Sequence, residues 1–105
     1  MSVIVTIRVN ADPASFEEHL RLQADTLDRT LELAKRHGVV AHRWYAGDGE
    51  VLVADEWPDA ESFQTFFAEA QDEIAPFLEA VGVTAPPEVR FWRVLDTSDA
   101  FGWGA

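Results

Sequence analysis

Two hydrophobic periodicities alternate along the chain and predict its secondary structure. Apolar residues recur at every second position in residues 3–9, 39–45, 51–57 and 89–95, a pattern typical of β-strands. They recur at three- and four-residue spacing in residues 13–37 and 59–75, a pattern typical of amphipathic helices. The predicted order is therefore β-α-β-β-α-β.

Residues with special backbone preferences support these boundaries. Asp12 followed by Pro13 is typical of a helix start, and Gly38 is typical of a helix end. Pro76 predicts a kink or restart in the second helix, and Gly82 can end the apolar turn that follows in a left-handed cap. The glycines of residues 46–50 predict a tight antiparallel hairpin between the second and third strands.

This order of elements leaves one side of the sheet uncovered. Right-handed crossovers place both helices on the same face of an antiparallel four-stranded sheet, yet all four strands carry apolar or aromatic residues on both faces. Candidates for the bare face include Trp44, Trp57 and Trp92. Burying one such side chain contributes on the order of 2–3 kcal/mol. We therefore expect a homodimer that pairs two sheets face to face, with a pocket for a hydrophobic small molecule between them.

The chain length and its last ten residues predict the domain organisation. With 105 residues, the protein is expected to form one domain over residues 1–95. A tail follows over residues 96–105, with Phe101 and Trp103 among glycines. This tail is either disordered or acts as a flap over the pocket or a contact with the partner subunit.

Composition excludes several classes of function. The net charge of −11 opposes binding to nucleic acid or to an anionic membrane surface. No run approaches the roughly 20 apolar residues of a membrane span, so a cytoplasmic protein is expected. The absence of cysteine excludes disulfides, thiolate catalysis and cysteine-ligated metals. Because only one histidine is expected near acidic residues, we predict no metal ion.

The predicted hairpin brings a candidate catalytic pair together. If its loop has two or four residues, His42 and Trp44 share a face with Val53, Asp55 and Trp57; a three-residue loop exchanges the partners. A histidine beside a carboxylate in a desolvated site can act as a general base. The alternative is a structural pair.

Strand arginines offer a second polar feature. Arg8 and Arg43 could stabilise a phenolate or enolate, or could simply pair with Asp55 and Glu56. The final strand adds Trp92, whose direction the sequence leaves open.

The segment of residues 51–59, Val-Leu-Val-Ala-Asp-Glu-Trp-Pro-Asp, leads into a phenylalanine-rich helix. Together with the ferredoxin-like order of elements, it resembles the antibiotic-biosynthesis-monooxygenase-like domains of the dimeric α/β-barrel superfamily. In that family an acidic residue and then a tryptophan close the third strand, and the tryptophan lines the cavity. The resemblance thus implies that Trp57 and its face line the pocket, with Trp44 and Trp57 stacking on substrate rings.

The resemblance also implies a chemistry and exposes two departures from it. Quinone-forming members need no bound cofactor, and they position a phenol with an asparagine on the third strand and a tyrosine early in the second helix. Those places hold Val53 and Phe63. Heme-degrading relatives have a histidine ligand where this chain has Phe67, so heme ligation in that manner is excluded.

The resulting hypothesis is a cofactor-independent monooxygenase acting on a hydrophobic phenolic or polyketide-like molecule. His42 would be the base and Asp55 its orienting partner, while Arg8, Trp44, Val53, Trp57, Phe63 and Trp92 are candidates for substrate binding. Alternatives are a non-catalytic binding or stress-response protein and a base-catalysed isomerase or cyclase.

Overall fold

The computed structural model describes residues 2–102. Its strands are β1 (Val3–Asn10), β2 (Ala41–Ala46), β3 (Glu50–Trp57) and β4 (Glu88–Trp92). Its helices are α1 (Pro13–Leu22), α2 (Ala24–Arg36), α3 (Ala60–Glu69) and α4 (Gln71–Ala80). The predicted order of strands and helical crossovers is confirmed, although β4 ends three residues earlier than expected.

The four strands form one antiparallel sheet in the order β2-β3-β1-β4. β1 lies between β3 and β4, pairing Val5 with Asp55 on one side and with Phe91 on the other. With its helical crossovers, this sheet has the ferredoxin-like α+β fold that the sequence predicted.

Each crossover contains two consecutive helices instead of the single helix that the periodicity predicted. The first crossover breaks at Gln23, where φ is −107° and ψ is 32°. The second breaks at Ala70 and not at Pro76, which lies inside α4. Pro76 is exposed, so water can solvate the carbonyl that its missing N–H leaves unpaired, and the helix continues through it.

The core lies between the sheet and the helices. Val5, Trp57, Phe63 and Phe66 form its largest buried cluster, and Phe16 is the centre of a second cluster with Val9 and Val51. The prediction that the aliphatic face of β1 meets the helices is confirmed. Trp57 lies on the same face because β1 and β3 pair Val3 directly with Trp57.

No helix of the described residues covers the opposite face of the sheet, called here the open face. Its exposed aromatic side chains are Trp92 and Tyr45, and Trp92 is 47% accessible. The sequence placed Trp44 and Trp57 there as well, and this is wrong: both lie on the helix side. The error arises because strand pairing, which no local pattern specifies, decides which parity of β3 faces the helices.

Ion pairs cover part of the open face. Arg8 contacts Glu50 at 3.0 Å and Glu88 at 3.4 Å, bridging the strands on either side of β1. The expected pairing of this arginine with a carboxylate is confirmed, but the carboxylates are not Asp55 and Glu56. Pairs this exposed contribute little to stability, about 0–1 kcal/mol each.

After β4, residues 93–102 form no regular secondary structure. Val94, Leu95 and Phe101 are exposed, and Phe101 is 89% accessible. Trp103, the other aromatic residue of the predicted tail, lies outside the described residues. The tail's role as a flap or partner contact stays a prediction. Within residues 2–102, no helix combines the length and apolar character needed to cross a membrane.

Candidate functional site

The principal pocket lies between the sheet and the helices α2 and α4, and its volume is about 280 Å³. This is near the lower end for small-molecule sites. Its walls are largely apolar, and α2 and α4 line it with residues one helical turn apart. The lining residues used below are Thr26, Asp28, Thr30, His42, Trp44, Val53, Asp55, Phe67, Glu73, Ile74, Phe77 and Leu78.

The position of this pocket corrects the sequence interpretation. We expected a cavity between two sheets, on the face that the helices leave bare. The pocket instead lies within one subunit, under α2 and α4. Its lining residues come from α2, α3 and α4 on one side and from β1, β2 and β3 on the other, so the cavity is a gap between the helical layer and the sheet.

The hairpin register places His42 opposite Asp55 and Trp44 opposite Val53. Four residues separate the last paired residues, Ala46 and Val51, and the Gly47 N–H donates to the Glu50 carbonyl at 2.8 Å. The even-numbered alternative for the loop is therefore confirmed. This register places the side chains of His42 and Asp55 next to each other on one face of the sheet, as a catalytic pair requires.

His42 and Asp55 form a hydrogen bond of 2.7 Å between Nδ1 and Oδ1. The second carboxylate oxygen of Asp55 accepts the indole N–H of Trp57 at 3.1 Å. Asp55 is 6% exposed, so these two donors replace the water that burial removes.

This arrangement defines the state of the imidazole. An ionised carboxylate only accepts hydrogen bonds, so Nδ1 of His42 must carry the hydrogen that it donates to Asp55. Nε2 is then the ring nitrogen with a free lone pair in the neutral tautomer. Because His42 lines the pocket, this nitrogen is available as an acceptor for a ligand proton.

Trp44 and Val53 form the wall beside His42. The Trp44 ring meets the imidazole edge-to-face with centroids 5.7 Å apart, and it packs against Phe16 at 5.5 Å. Trp44 is therefore supported by the core on one side and faces the pocket on the other. An aromatic wall of this kind suits a planar apolar ligand.

The other predicted binding residues lie elsewhere. Trp57 and Phe63 are buried in the core behind the pocket, with ring centroids 5.7 Å apart. Arg8 and Arg43 are on the open face. Trp92 is also on the open face, where its indole N–H donates to Thr6 at 2.8 Å. The structure thus brings His42, Asp55, Trp44 and Val53 together and separates them from the remaining candidates.

Sequence reasoning missed the helical half of the pocket. On α4, Ile74, Phe77 and Leu78 face the cavity, and no residue of this helix is fully buried. The sequence did show the helical spacing of these apolar residues. This spacing is the same for a helix that packs on the core and for a helix that covers a cavity, so it could not identify the pocket. On α3, Phe67 lines the pocket where Phe63 was expected.

Within residues 2–102, no group of three or more His, Asp or Glu side chains is placed to hold a metal ion. The expectation of a metal-free, cofactor-free site stays a prediction.

No family model matches the chain, and no curated protein is similar to it in sequence. Solved structures do share its fold. The chain is 21% identical to SnoaB, a cofactor-independent oxygenase from Streptomyces nogalater, over 94% of this chain and 98% of that one, with a TM-score of 0.62. It is 16% identical to the ActVA-Orf6 monooxygenase of Streptomyces coelicolor, which was solved with nanaomycin D. There the TM-score is 0.70 over 91% of this chain and 89% of that one.

A third structure bears on assembly. A dimeric ferredoxin-like protein from an uncultured marine organism is 11% identical over 95% of this chain and 93% of that one, with a TM-score of 0.65. At these identities the likeness shows a common fold. The ferredoxin-like α+β fold that the sequence predicted is thereby confirmed.

Proposed function

We propose that this protein is a cofactor-independent monooxygenase that acts on a hydrophobic phenolic or polyketide-like molecule. The observation that carries this proposal is the His42–Asp55 hydrogen bond of 2.7 Å at the wall of a largely apolar pocket. An imidazole that is held by a buried carboxylate and lines a largely apolar pocket is suited to remove a proton from carbon or oxygen. The fold shared with cofactor-independent oxygenases adds support by analogy.

In the proposed reaction, Nε2 of His42 accepts a proton from a ring CH₂ or phenol of the substrate. Asp55 stabilises the resulting imidazolium, and Trp57 keeps the carboxylate in place. The substrate anion then supplies electrons to dioxygen. The overall balance is one CH₂ group and one O₂ giving one C=O group and one H₂O, so the substrate itself is the reductant.

The apolar walls would orient the substrate in this reaction. Trp44 and Phe67 offer ring faces for stacking, and Val53 offers none of the hydrogen bonds that an asparagine would give. Orientation of a phenol would therefore depend on His42 and on shape complementarity. Desolvation by these walls also strengthens the hydrogen bond between substrate and imidazole.

The proposal includes a homodimer formed through the open face. Trp92 and Leu52 lie there without a covering helix, and exposed apolar surface of this kind is typical of an interface. A structural neighbour described as dimeric supports a homodimer. The cytoplasmic location and the absence of a nucleic-acid partner stay predictions.

Oxygen consumption with anthrone as substrate tests the enzymatic proposal. Anthrone carries an acidic ring CH₂ and would give anthraquinone and water. The wild-type protein should consume one O₂ per anthraquinone formed, and His42→Ala should lower the rate by about 10²-fold or more. The matched control is His19→Ala, because His19 lies partly exposed on α1 and does not line the pocket.

The apolar Val53 favours a second candidate, a non-catalytic protein that binds a hydrophobic molecule in the same pocket. A base-catalysed isomerase or cyclase is a further alternative. Tight binding of anthrone without oxygen uptake, unchanged by His42→Ala, would support the binding protein. Turnover of a related substrate without oxygen uptake, abolished by His42→Ala, would support the isomerase.

A further inference from the structure

An exposed ion pair joins the two helical walls of the pocket at the lining residue Glu73, and this part of the wall is called the rim. Arg29 on α2 donates to Glu73 on α4 through Nε at 3.2 Å and through Nη2 at 3.3 Å. The same Nη2 also contacts Thr26 Oγ1 at 3.2 Å. Two bonds to one carboxylate hold the guanidinium in a defined orientation at the rim.

Charges around the pocket have one predominant sign. Among the described residues that line it, Asp28, Asp55 and Glu73 are acidic and none is lysine or arginine. His42 is basic, but its Nδ1 is engaged by Asp55. The chain as a whole carries a net charge of −11. An anionic ligand would thus approach a negative field with no free cation on the pocket wall to receive it.

Arg29 is a cation that could receive an anionic ligand, because it is bonded to the lining residue Glu73. Its guanidinium is, however, already paired with the Glu73 carboxylate. Hydrogen bonding to Glu73 raises the pKa of Arg29, and the charge of Asp25 contributes in the same direction. The guanidinium therefore stays charged and paired. Glu73 both adds negative charge to the lining and removes a potential anion contact from the rim.

We propose that the Arg29–Glu73 pair makes this pocket selective for uncharged aromatic ligands over anionic ligands of the same shape. This inference rests on the proposed function only in assuming that a hydrophobic small molecule binds in the pocket. It identifies Glu73 as a specificity-determining residue. Substitution of Glu73 would leave Arg29 free to contact an acidic group on a ligand.

Two fluorescent probes with one skeleton test the selectivity. N-phenyl-1-naphthylamine is uncharged, and 8-anilinonaphthalene-1-sulfonate carries one sulfonate on the same rings. The wild-type protein should bind the uncharged probe at least about tenfold more tightly. Because a sulfonate also lowers hydrophobicity, the informative quantity is how a substitution changes this affinity ratio.

Glu73→Gln is the decisive variant. It should lower the ratio of the two affinities about fivefold, because one negative charge leaves the rim and Arg29 becomes available to the sulfonate. The matched control is Glu79→Gln, which makes the same charge change at an exposed position of α4 away from the pocket. The control should leave the ratio unchanged. Added salt should reduce the effect of Glu73→Gln.

The variant Thr30→Trp, which fills the cavity from α2, shows whether the probes bind inside the pocket or elsewhere on the protein. Both probes should lose binding to this variant, and Thr30→Phe serves if the larger side chain prevents folding. Equal ratios for Glu73→Gln and Glu79→Gln would overturn the role of the ion pair. If the uncharged probe and anthrone both fail to bind the wild-type pocket, the proposed function itself fails, and the two failures are thus distinguishable.

Discussion

Asp55 and Trp57 lie two residues apart on β3 and are joined by a side-chain hydrogen bond of 3.1 Å from the indole N–H to Oδ2. Both side chains point to the helix side because residues two apart share a face of the sheet. The bond leaves Oδ1 of Asp55 for His42. The tryptophan that closes the strand therefore acts on the candidate base through the carboxylate, from within the core.

Trp57→Phe tests this positioning role. The substitution removes the N–H donor from a buried carboxylate and leaves a small cavity, so the free energy of unfolding should fall by about 2–4 kcal/mol. Anthrone oxidation should fall as well, because Asp55 can then rotate away from His42. Urea denaturation and oxygen uptake measure the two effects.

The matched control for this prediction is Trp44→Phe, on the same face of the neighbouring strand. Trp44 makes no hydrogen bond to Asp55 and is half-buried beside the pocket, so its replacement should cost only about 1 kcal/mol. Equal losses of stability in the two variants would show that the indole bond to Asp55 is unimportant.

Leu52→Glu tests the homodimer. Leu52 lies on the open face of β3, between Arg8 of β1 and Tyr45 of β2. A buried carboxylate at the centre of a sheet-to-sheet interface lacks compensating hydrogen bonds, so the dimer dissociation constant should rise by about 10²-fold or more. Sedimentation equilibrium measures it. Leu22→Glu is the control, since Leu22 is exposed at the end of α1. A wild-type protein that is monomeric at micromolar concentration would contradict the assembly.

Phe63→Tyr tests the division between core and pocket. Phe63 is packed between Trp57 and Phe91, so a hydroxyl added there is buried without a partner. The expected cost is about 1–3 kcal/mol in unfolding free energy. Phe67→Tyr should be almost neutral, because Phe67 lines the cavity and its hydroxyl can reach water. Thermal denaturation of the two variants gives the comparison, and a tolerated Phe63→Tyr would place that side chain in the pocket after all.

Asp59→Ala tests a pH-dependent helix cap. The Asp59 side chain accepts the backbone N–H of Ser62 at 2.7 Å, and this bond lowers the pKa of Asp59 below its ordinary value of 3.8. Because the pKa of Asp59 is lower in the folded protein than in the unfolded chain, the cap stabilises the protein fully at pH values above the unfolded pKa. This contribution is lost as the pH falls through the folded pKa.

The stability difference between wild type and Asp59→Ala should thus be largest near neutral pH and shrink in acid. Urea denaturation at about pH 6 and about pH 2.5 measures it. Asp48→Ala, in the hairpin loop, provides the control because its carboxylate caps no helix. A difference between wild type and Asp59→Ala that is independent of pH would contradict the cap.

The sequence predicted the parts of the fold that depend on local patterns. Alternation with a period of two identified the strands, and Asp12 and Gly38 marked the limits of the first crossover. The glycine-rich loop left two alternatives for the residues that share a face of the hairpin, one of which puts His42 on the face of Asp55, as observed. These features are accessible because neighbours in the chain determine them.

Other features could not be predicted from local patterns. Nothing local marks Gln23 or Ala70 as helix breaks, since neither is a glycine or a proline. The assignment of Trp57 to the bare face failed for the same reason. It conflicted with the prediction that Val5 meets the helices, but the conflict appears only once β1 is known to pair with β3.

The amino-acid sequence by itself thus determined the order of strands and helices and the excess of acidic charge, and it restricted the partners of His42 to two alternatives, one of which includes Asp55. Only the tertiary structure decided which face of the sheet carries that pair and where the pocket lies. It also brought Glu73 of α4 to Arg29 of α2, 44 residues away in the chain. Local periodicity reports which residues are buried together, whereas contacts between distant segments depend on how whole elements pack.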